Sequence, residues 1–113
     1  MDAPQDMETT VMELIIHAGE ARSAAMQALQ AARKHSWEEA DASLLEAAKA
    51  VREAHRIQTE LIGADEGCGK IPVNLILVHA QDHLMNAMLC RELVEEIIYL
   101  HREVQELTKT RTQ

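Results

Sequence analysis

Residues 75–100 read LILVHAQDHLMNAMLCRELVEEIIYL, a segment that contains neither glycine nor proline. Side chains recur in it at intervals of three and four, the spacing of neighbours on one face of an α-helix. The residues on this face are Leu75, His79, Asp82, Asn86, Leu89, Leu93, Ile97 and Leu100. Because leucine and isoleucine stand at both ends of the face, we expect its polar middle to lie in a buried or half-buried seam between helices.

Two further helices are predicted upstream of this segment. Apolar residues keep helical spacing from residue 9 or 10 to about residue 34, and again over residues 36–63. Ser36 is followed three residues later by Glu39, a capping-box pattern that can satisfy backbone donors at a helix start. The sequence therefore predicts that the second helix begins at Ser36.

A glycine-rich linker at residues 63–70 precedes the third helix. Pro72 suits the first turn of that helix, because proline lacks the backbone donor that would be unpaired there. The helical pattern then continues to about Leu107, a length on the order of 50 Å at 1.5 Å per residue. The core of one small domain does not require so long a helix, so its length predicts self-association.

The predicted fold class is all-α, a three-helix bundle in a single domain of residues 1–113, with residues 1–8 and 108–113 frayed. A net charge of −8 argues against nucleic-acid binding and favours a basic protein partner. Cys68 and Cys90 show no paired spacing, which is typical of reduced thiols in the cytoplasm. An acidic start and no apolar run of about 18 residues predict a cytoplasmic protein that does not insert into a membrane.

The polar turn around His79 permits three interpretations from the residues alone. It can be a register device, in which a few polar side chains in a helix seam fix alignment and oligomeric state. It can be a metal site, because His79 and His83 stand one turn apart beside Asp82, although aspartate replaces the catalytic glutamate of the similar zinc-protease pattern and no third ligand follows. It can also be a nucleophilic site, in which a neutral imidazole held by an acceptor attacks a phosphoryl group. Spacing leaves these interpretations open.

A family resemblance bears on the choice. Residues 77–85, Leu-Val-His-Ala-Gln-Asp-His-Leu-Met, resemble the signature around the phosphorylated histidine of enzyme IIA proteins of the sugar phosphotransferase system, of the lactose/N,N'-diacetylchitobiose/cellobiose type. Residues 14–23 resemble the first helix of that family, and residues 54–62 resemble the end of its second helix. The resemblance runs in order from about Val11 to Leu107.

The resemblance implies a phosphocarrier function for this chain. His79 would accept a phosphoryl group through Nε2 from the phosphohistidine carrier protein HPr. It would then pass the group to a cysteine of enzyme IIB during uptake of a β-linked disaccharide of the chitobiose, cellobiose or lactose class. Gln81 and His83 are the implied supporting residues. The alternative is a structural or adaptor helical oligomer in which the polar patch only sets register.

The resemblance also implies a coiled-coil-like homotrimer, with the third helices packed around its axis. Three Asp82 carboxylates would then meet on the axis, a costly arrangement unless they are protonated or share a cation. The implied cofactor is a structural divalent metal at Asp82, one per trimer, and oxygen ligands suit Mg²⁺. No organic cofactor is implied.

Three positions outside the motif carry further expectations. Gly19 has no turn to make inside its predicted helix, so we expect a neighbouring helix to approach it closely. His55 and Gln58 on the second helix are predicted to line the region of His79, with simple helix packing as the alternative for His55.

Overall fold

The structure is a computed structural model that describes the backbone of residues 4–112 and the side chains of residues 6–109. It contains three long helices, α1 (Pro4–Arg33), α2 (Trp37–Asp65) and α3 (Leu75–Thr112), and no strand within residues 4–112. Short connections reverse the chain twice, giving an antiparallel bundle of 65 × 21 × 19 Å. The predicted all-α three-helix fold is confirmed.

The helix ends differ from the predicted ones. α1 begins at Pro4, more than a turn before residue 9, and proline is favoured in a first helical turn. α3 continues to Thr112, so helix covers residues 4–8 and 108–112, which the sequence predicted to be frayed. Fraying of these turns in solution stays a prediction.

The turn between α1 and α2 explains why the predicted capping box does not form. His35 has a positive φ of 62° and donates its N–H to the Ala32 carbonyl at 3.0 Å, while the Ser36 N–H donates to the Ala31 carbonyl at 2.9 Å. This pair of bonds is a Schellman motif. Since the Ser36 N–H is already bonded, Glu39 has no donor to accept from, and the Ser36 side chain makes no capping bond. α2 does start here, but the capping-box prediction is wrong.

The linker between α2 and α3 covers residues 66–74, later in the sequence than predicted, and hydrogen bonds to one side chain hold much of it in place. α2 runs on to Asp65, whose carboxylate accepts the N–H of Gly69 at 3.3 Å and the N–H of Ile71 at 2.9 Å. Gly67 and Gly69 have φ of 69° and 77°, a backbone conformation that glycine adopts without steric cost. One acidic side chain therefore organises most of the connection.

Asn74, not Pro72, marks the start of α3. The Asn74 Oδ1 accepts the N–H of Leu77 at 3.0 Å, and its carbonyl accepts the N–H of Val78 at 3.1 Å. This is the N-cap arrangement, and Pro72 lies two residues outside it. The prediction for Pro72 is wrong because the side-chain cap at Asn74 fixes the helix start.

Replacing Asn74 by alanine is expected to lower the free energy of unfolding by about 1 kcal/mol, because a backbone donor near the start of α3 loses its partner. Urea unfolding followed by circular dichroism measures the change. Asn74→Asp is the matched control and should keep most of the stability. Equal losses in both variants would contradict the capping role.

Small side chains dominate the interior of the bundle. Leu14, Ile57 and Leu84 are its largest fully buried residues. Most of the rest are alanines without solvent exposure: Ala18, Ala21, Ala25, Ala28, Ala32, Ala40, Ala47, Ala54, Ala80 and Ala87. Because the distance between packed helices depends on the side chains at the contact, this interior brings the helix backbones close together.

Contacts with the start of α2 hold the C-terminal part of α3 in one orientation about its own axis. The Trp37 Nε1–H at the start of α2 donates to Gln105 Oε1 at 2.8 Å, and the Arg102 guanidinium lies 5.0 Å from the centre of the indole ring. Arg102 also bonds to Asp41 at 2.6 Å. These contacts join α2 to the last third of α3 and set which face of α3 points outward.

The outward face is the one predicted to lie in a seam. We call Leu75, His79, Asp82, Asn86, Leu89, Leu93, Ile97 and Leu100 the α3 stripe; all eight are exposed in the protomer. Leu93 is 52% exposed and Leu100 58%. The side of α3 that packs on the core carries Leu77, Ala80, Leu84, Ala87, Val94 and Ile98. The buried-seam prediction is therefore wrong for the single chain, because α3 has two apolar faces and the core uses the other one.

Candidate functional site

His79 and His83 form a histidine pair on α3. Their ring centroids are 5.8 Å apart and their planes differ by 16°, so the rings are stacked. Residues four apart on a helix lie one above the other on one side, which explains the pairing. His79 is exposed and His83 is half-buried. The outer ring is thus open to an approaching molecule, and the inner ring packs behind it.

The ring nitrogens of this pair are not hydrogen-bonded to the described part of the chain. Within residues 6–109, neither the His79 ring nor the His83 ring hydrogen-bonds to a protein group. No acceptor among these residues therefore holds the second nitrogen of His79. A neutral imidazole has one N–H donor and one nitrogen lone pair. Both functions remain available on each ring for an incoming group.

Gly19 of α1 lies directly against the pair. A Cβ built on Gly19 would stand 3.6 Å from His83 Nε2, an ordinary van der Waals distance. The neighbour is a histidine side chain at an ordinary contact distance, so the predicted close approach of a neighbouring helix is not confirmed. Glycine inside a helix lowers the stability of the protein by roughly 0.5–1 kcal/mol relative to alanine, so its presence at position 19 calls for an explanation. The isolated glycine was the signal in the sequence, although nothing there identified His83 as its neighbour.

Gln81 belongs to a different side of α3. At 100° per residue it lies about 200° around the helix from His79. Its Oε1 accepts a hydrogen bond from Gln58 Nε2 on α2, and Gln58 Nε2 also lies 4.0 Å from Met85 Sδ. The structure therefore brings His83 to His79 but places Gln81 away from them in the same chain. Gln58 adjoins Gln81 and not His79.

His55 lies on the exposed surface of α2. Its carbonyl accepts a hydrogen bond from Thr59 Oγ1 at 3.0 Å, as is common within helices. No described contact joins its ring to His79. The structure does not bring His55 to the histidine pair.

A groove between α2 and α3 opens beside Gln81. It encloses about 540 Å³ and lies between the end of α2, the linker and the first turns of α3. Its wall is mostly apolar and includes Leu61, Ile71, Val78 and Met85, while Gln81 and Asp82 supply polar atoms. We call it the α2–α3 groove. Asp82 connects it to the α3 stripe.

Asp82 is exposed and has one hydrogen-bond partner among the side chains of residues 6–109. Its Oδ2 accepts a hydrogen bond from Asn86 Nδ2 at 3.2 Å, one turn further along α3. Over the described residues, no group of three or more His, Cys, Asp and Glu side chains is placed to hold a metal ion. One protomer therefore does not assemble the zinc site that the His79, Asp82 and His83 spacing permitted.

The described helices lack any stretch that is both long and apolar enough to traverse a lipid bilayer.

Known proteins similar to this chain share one function class. Residues 9–102 match the family described as PTS system, lactose/cellobiose-specific IIA subunit. The N,N'-diacetylchitobiose-specific EIIA component of Escherichia coli (strain K12) is 48% identical over 101 residues, which are 89% of this chain and 87% of that protein.

Solved structures agree with that match. The cellobiose-specific enzyme IIA of Bacillus anthracis superposes with a TM-score of 0.86 at 40% identity, covering 94% of this chain and 95% of that one. IIA(chitobiose) of Escherichia coli, solved in complex with HPr, gives a TM-score of 0.76 at 48% identity, over 87% of this chain and 95% of that one.

Proposed function

We propose that this chain, which belongs to the lactose/cellobiose-specific IIA family of the phosphotransferase system, carries a phosphoryl group on His79. The group would come from the phosphohistidine carrier HPr and go to a cysteine of enzyme IIB, during uptake of a β-linked disaccharide of the chitobiose, cellobiose or lactose class. The main support is the exposed His79 ring, whose nitrogens have no partner among the described residues, stacked on His83 within the family match.

The chemistry requires two phosphoryl transfers, one onto His79 Nε2 and one away from it. In the first, the lone pair of His79 Nε2 attacks the phosphorus of the donor phosphohistidine, and the donor N–P bond breaks with its electron pair returning to the donor ring. In the second, a thiolate of enzyme IIB attacks that phosphorus, and the His79 N–P bond breaks with its pair returning to Nε2. The proton on Nδ1 stays in place throughout. His83 packs against His79 and can donate an N–H to a phosphoryl oxygen.

The surface around His79 suits a protein donor. A phosphohistidine on another protein can reach only an exposed ring; His79 is exposed in the protomer, and the trimer proposed below has to leave its Nε2 open to solvent. The solved Escherichia coli relative was determined as a complex with HPr. The net charge of −8 complements a basic partner surface and would speed the encounter.

A homotrimer forms the second part of the proposal. Monomeric proteins rarely leave a long apolar stripe exposed, and the α3 stripe carries Leu89, Leu93 and Leu100 on the outside. Packing three copies of α3 around an axis would bury these leucines in a coiled-coil-like interface. Because Gln81 faces away from the His79 of its own chain, we assign its supporting role to His79 of a neighbouring protomer.

Asp82 is the candidate metal ligand of that trimer. It lies on the α3 stripe, so a threefold axis along the stripe would bring three carboxylates together. Asn86 occupies only part of the Oδ2 acceptor capacity and leaves Oδ1 free. This donor set is all oxygen and fits a structural divalent cation such as Mg²⁺, which would neutralise the like charges.

Asp82→Leu is expected to remain trimeric and to melt at the same temperature with or without chelator, because apolar packing replaces the like charges. The wild-type protein should lose thermal stability in chelator and recover it with excess Mg²⁺. Sedimentation and thermal unfolding measure both properties. A wild type that is indifferent to chelator would remove the metal from the proposal, and a monomeric Asp82→Leu would contradict the packing argument.

Incubation with labelled phosphoenolpyruvate, enzyme I and HPr tests the phosphocarrier function. We expect about one acid-labile, base-stable phosphoryl group per chain, the signature of a phosphohistidine, and its transfer to enzyme IIB. A purely structural or adaptor oligomer would take up no label under the same conditions, which is how that alternative is distinguished.

A further inference from the structure

We propose that Gly19 is a positioning residue: the space over its bare backbone sets the position of the His83 ring, and His83 in turn orients His79 for phosphoryl transfer. This inference rests on the proposed role of His79.

A side chain at position 19 would meet the ring of His83. Gly19 lies within α1, is half-buried, and has no positive φ that would require glycine. The nearest atom to a Cβ built there is His83 Nε2 at 3.6 Å. A methyl group would just touch the ring, whereas a branched side chain would extend about 1.5 Å further, the length of one carbon–carbon bond, and overlap it. The position therefore has room for a methyl group, and a larger side chain would displace the ring.

His83 has two contacts and can pass a displacement on. The Nε2 edge of its ring faces Gly19, and one face of the ring lies against His79 with centroids 5.8 Å apart. Since no hydrogen bond to a described protein group holds either imidazole, packing alone keeps the pair in place. A side chain at position 19 that displaced the Nε2 edge would change how the two rings overlap and so turn His79. Transfer to phosphorus depends strongly on such alignment of the attacking nitrogen.

Gly19→Val tests this relay, with Gly63→Val as the matched control. Both glycines lie in helices, and nothing lies within 4 Å of a Cβ built on Gly63. Valine is no worse a helix former than glycine, so loss of helix does not explain a specific effect at position 19. We expect Gly19→Val to lower kcat for phosphoryl uptake by on the order of tenfold to 100-fold with little change in KM for phosphorylated HPr. Gly63→Val should match the wild type.

Imidazole NMR signals give a readout that does not need phosphorylation. Those of His83 and His79 should shift in Gly19→Val and stay unchanged in Gly63→Val. In Gly19→Ala, the methyl group in contact with Nε2 should shift the His83 signals by less than valine does. Unshifted His83 signals in both Gly19 variants would overturn the proposal.

A double-mutant comparison separates the relay from a general packing defect. In a His83→Ala background the ring is gone, so Gly19→Val should cause no further loss of kcat. An equal loss in both backgrounds would overturn the relay through His83. Failure of the phosphocarrier function itself would appear differently, as a wild type that takes up no label while its NMR signals still respond to Gly19→Val.

Discussion

His79→Ala is expected to take up no phosphoryl label from phosphorylated HPr, because the variant has no nitrogen to form the covalent bond. The effect should be a complete loss and not a graded one, since no neighbour can replace the nucleophile: His83 is half-buried behind His79, with Nε2 close to Gly19. Acid-labile radiolabel per chain, measured after denaturing gel separation under alkaline conditions, gives the result.

Two variants on the same helix serve as controls for this loss. His101→Ala lies about 33 Å along α3 from His79 at 1.5 Å per residue and should label like the wild type. His83→Ala removes the stacked neighbour and should label more slowly but to the same final extent. Full labelling of His79→Ala would refute the assigned phosphorylation site, and loss of labelling in His101→Ala would show that the assay reports folding instead.

Leu93→Asp is expected to convert the proposed trimer into monomers. Each protomer would place a carboxylate in the middle of the α3 stripe, and burial of three unpaired charges in one interface would cost several kcal/mol per charge. Sedimentation equilibrium should give a mass near the 12.7 kDa of the single chain in place of about three times that value. Helix content should remain, because Leu93 does not belong to the buried core of the protomer.

Leu45→Asp is the matched control for this charge. Leu45 is 56% exposed on α2, close to the 52% of Leu93 on α3, so the two changes differ mainly in the face they alter. The control should remain a trimer. A trimeric Leu93→Asp would rule out the α3 stripe as the interface, whereas monomers in both variants would point to a general effect of added charge.

The three helices could be predicted from the sequence because long segments keep helical spacing and contain very little glycine and no proline beyond the first residue of α1. Their ends could be predicted less well, since they depend on which side chain binds a backbone donor. At Ser36 the expected cap was displaced by a backbone bond to Ala31, and at Asn74 a cap overrode Pro72. Which group binds a given backbone N–H depends on local backbone geometry, and the spacing of residues in the sequence does not reveal that geometry.

The sequence could not show which face of α3 points toward solvent, because the repeat of apolar residues along the helix does not distinguish its two apolar faces. α3 has two apolar faces with equally regular helical spacing, one that includes Leu77 and Leu84 and one that includes Leu89 and Leu93. The pattern of hydrophobic residues therefore does not indicate which face packs against α1. Contacts from other parts of the chain decide it, including the bond between Trp37 and Gln105.

The candidate site was predicted in part. The pairing of His79 with His83 followed from a spacing of four residues, and the structure confirms it. Gln81 stood in the same motif but faces α2, because neighbours in a motif need not be neighbours on a helix. The contact between Gly19 and His83 depends on how α1 lies against α3, and that relation becomes visible only once the bundle is assembled.

The alanine-lined interior limits how this protein can change over evolutionary time. Where only alanine methyl groups separate the three helix backbones, one added carbon forces the helices further apart. Overpacking of that kind typically lowers the free energy of unfolding by about 1–3 kcal/mol. Selection inside the bundle therefore acts mainly on size, while the outer surfaces are free to vary in bulk. Relatives that diverge to serve other sugars should consequently differ on their exteriors and keep the same narrow spacing within.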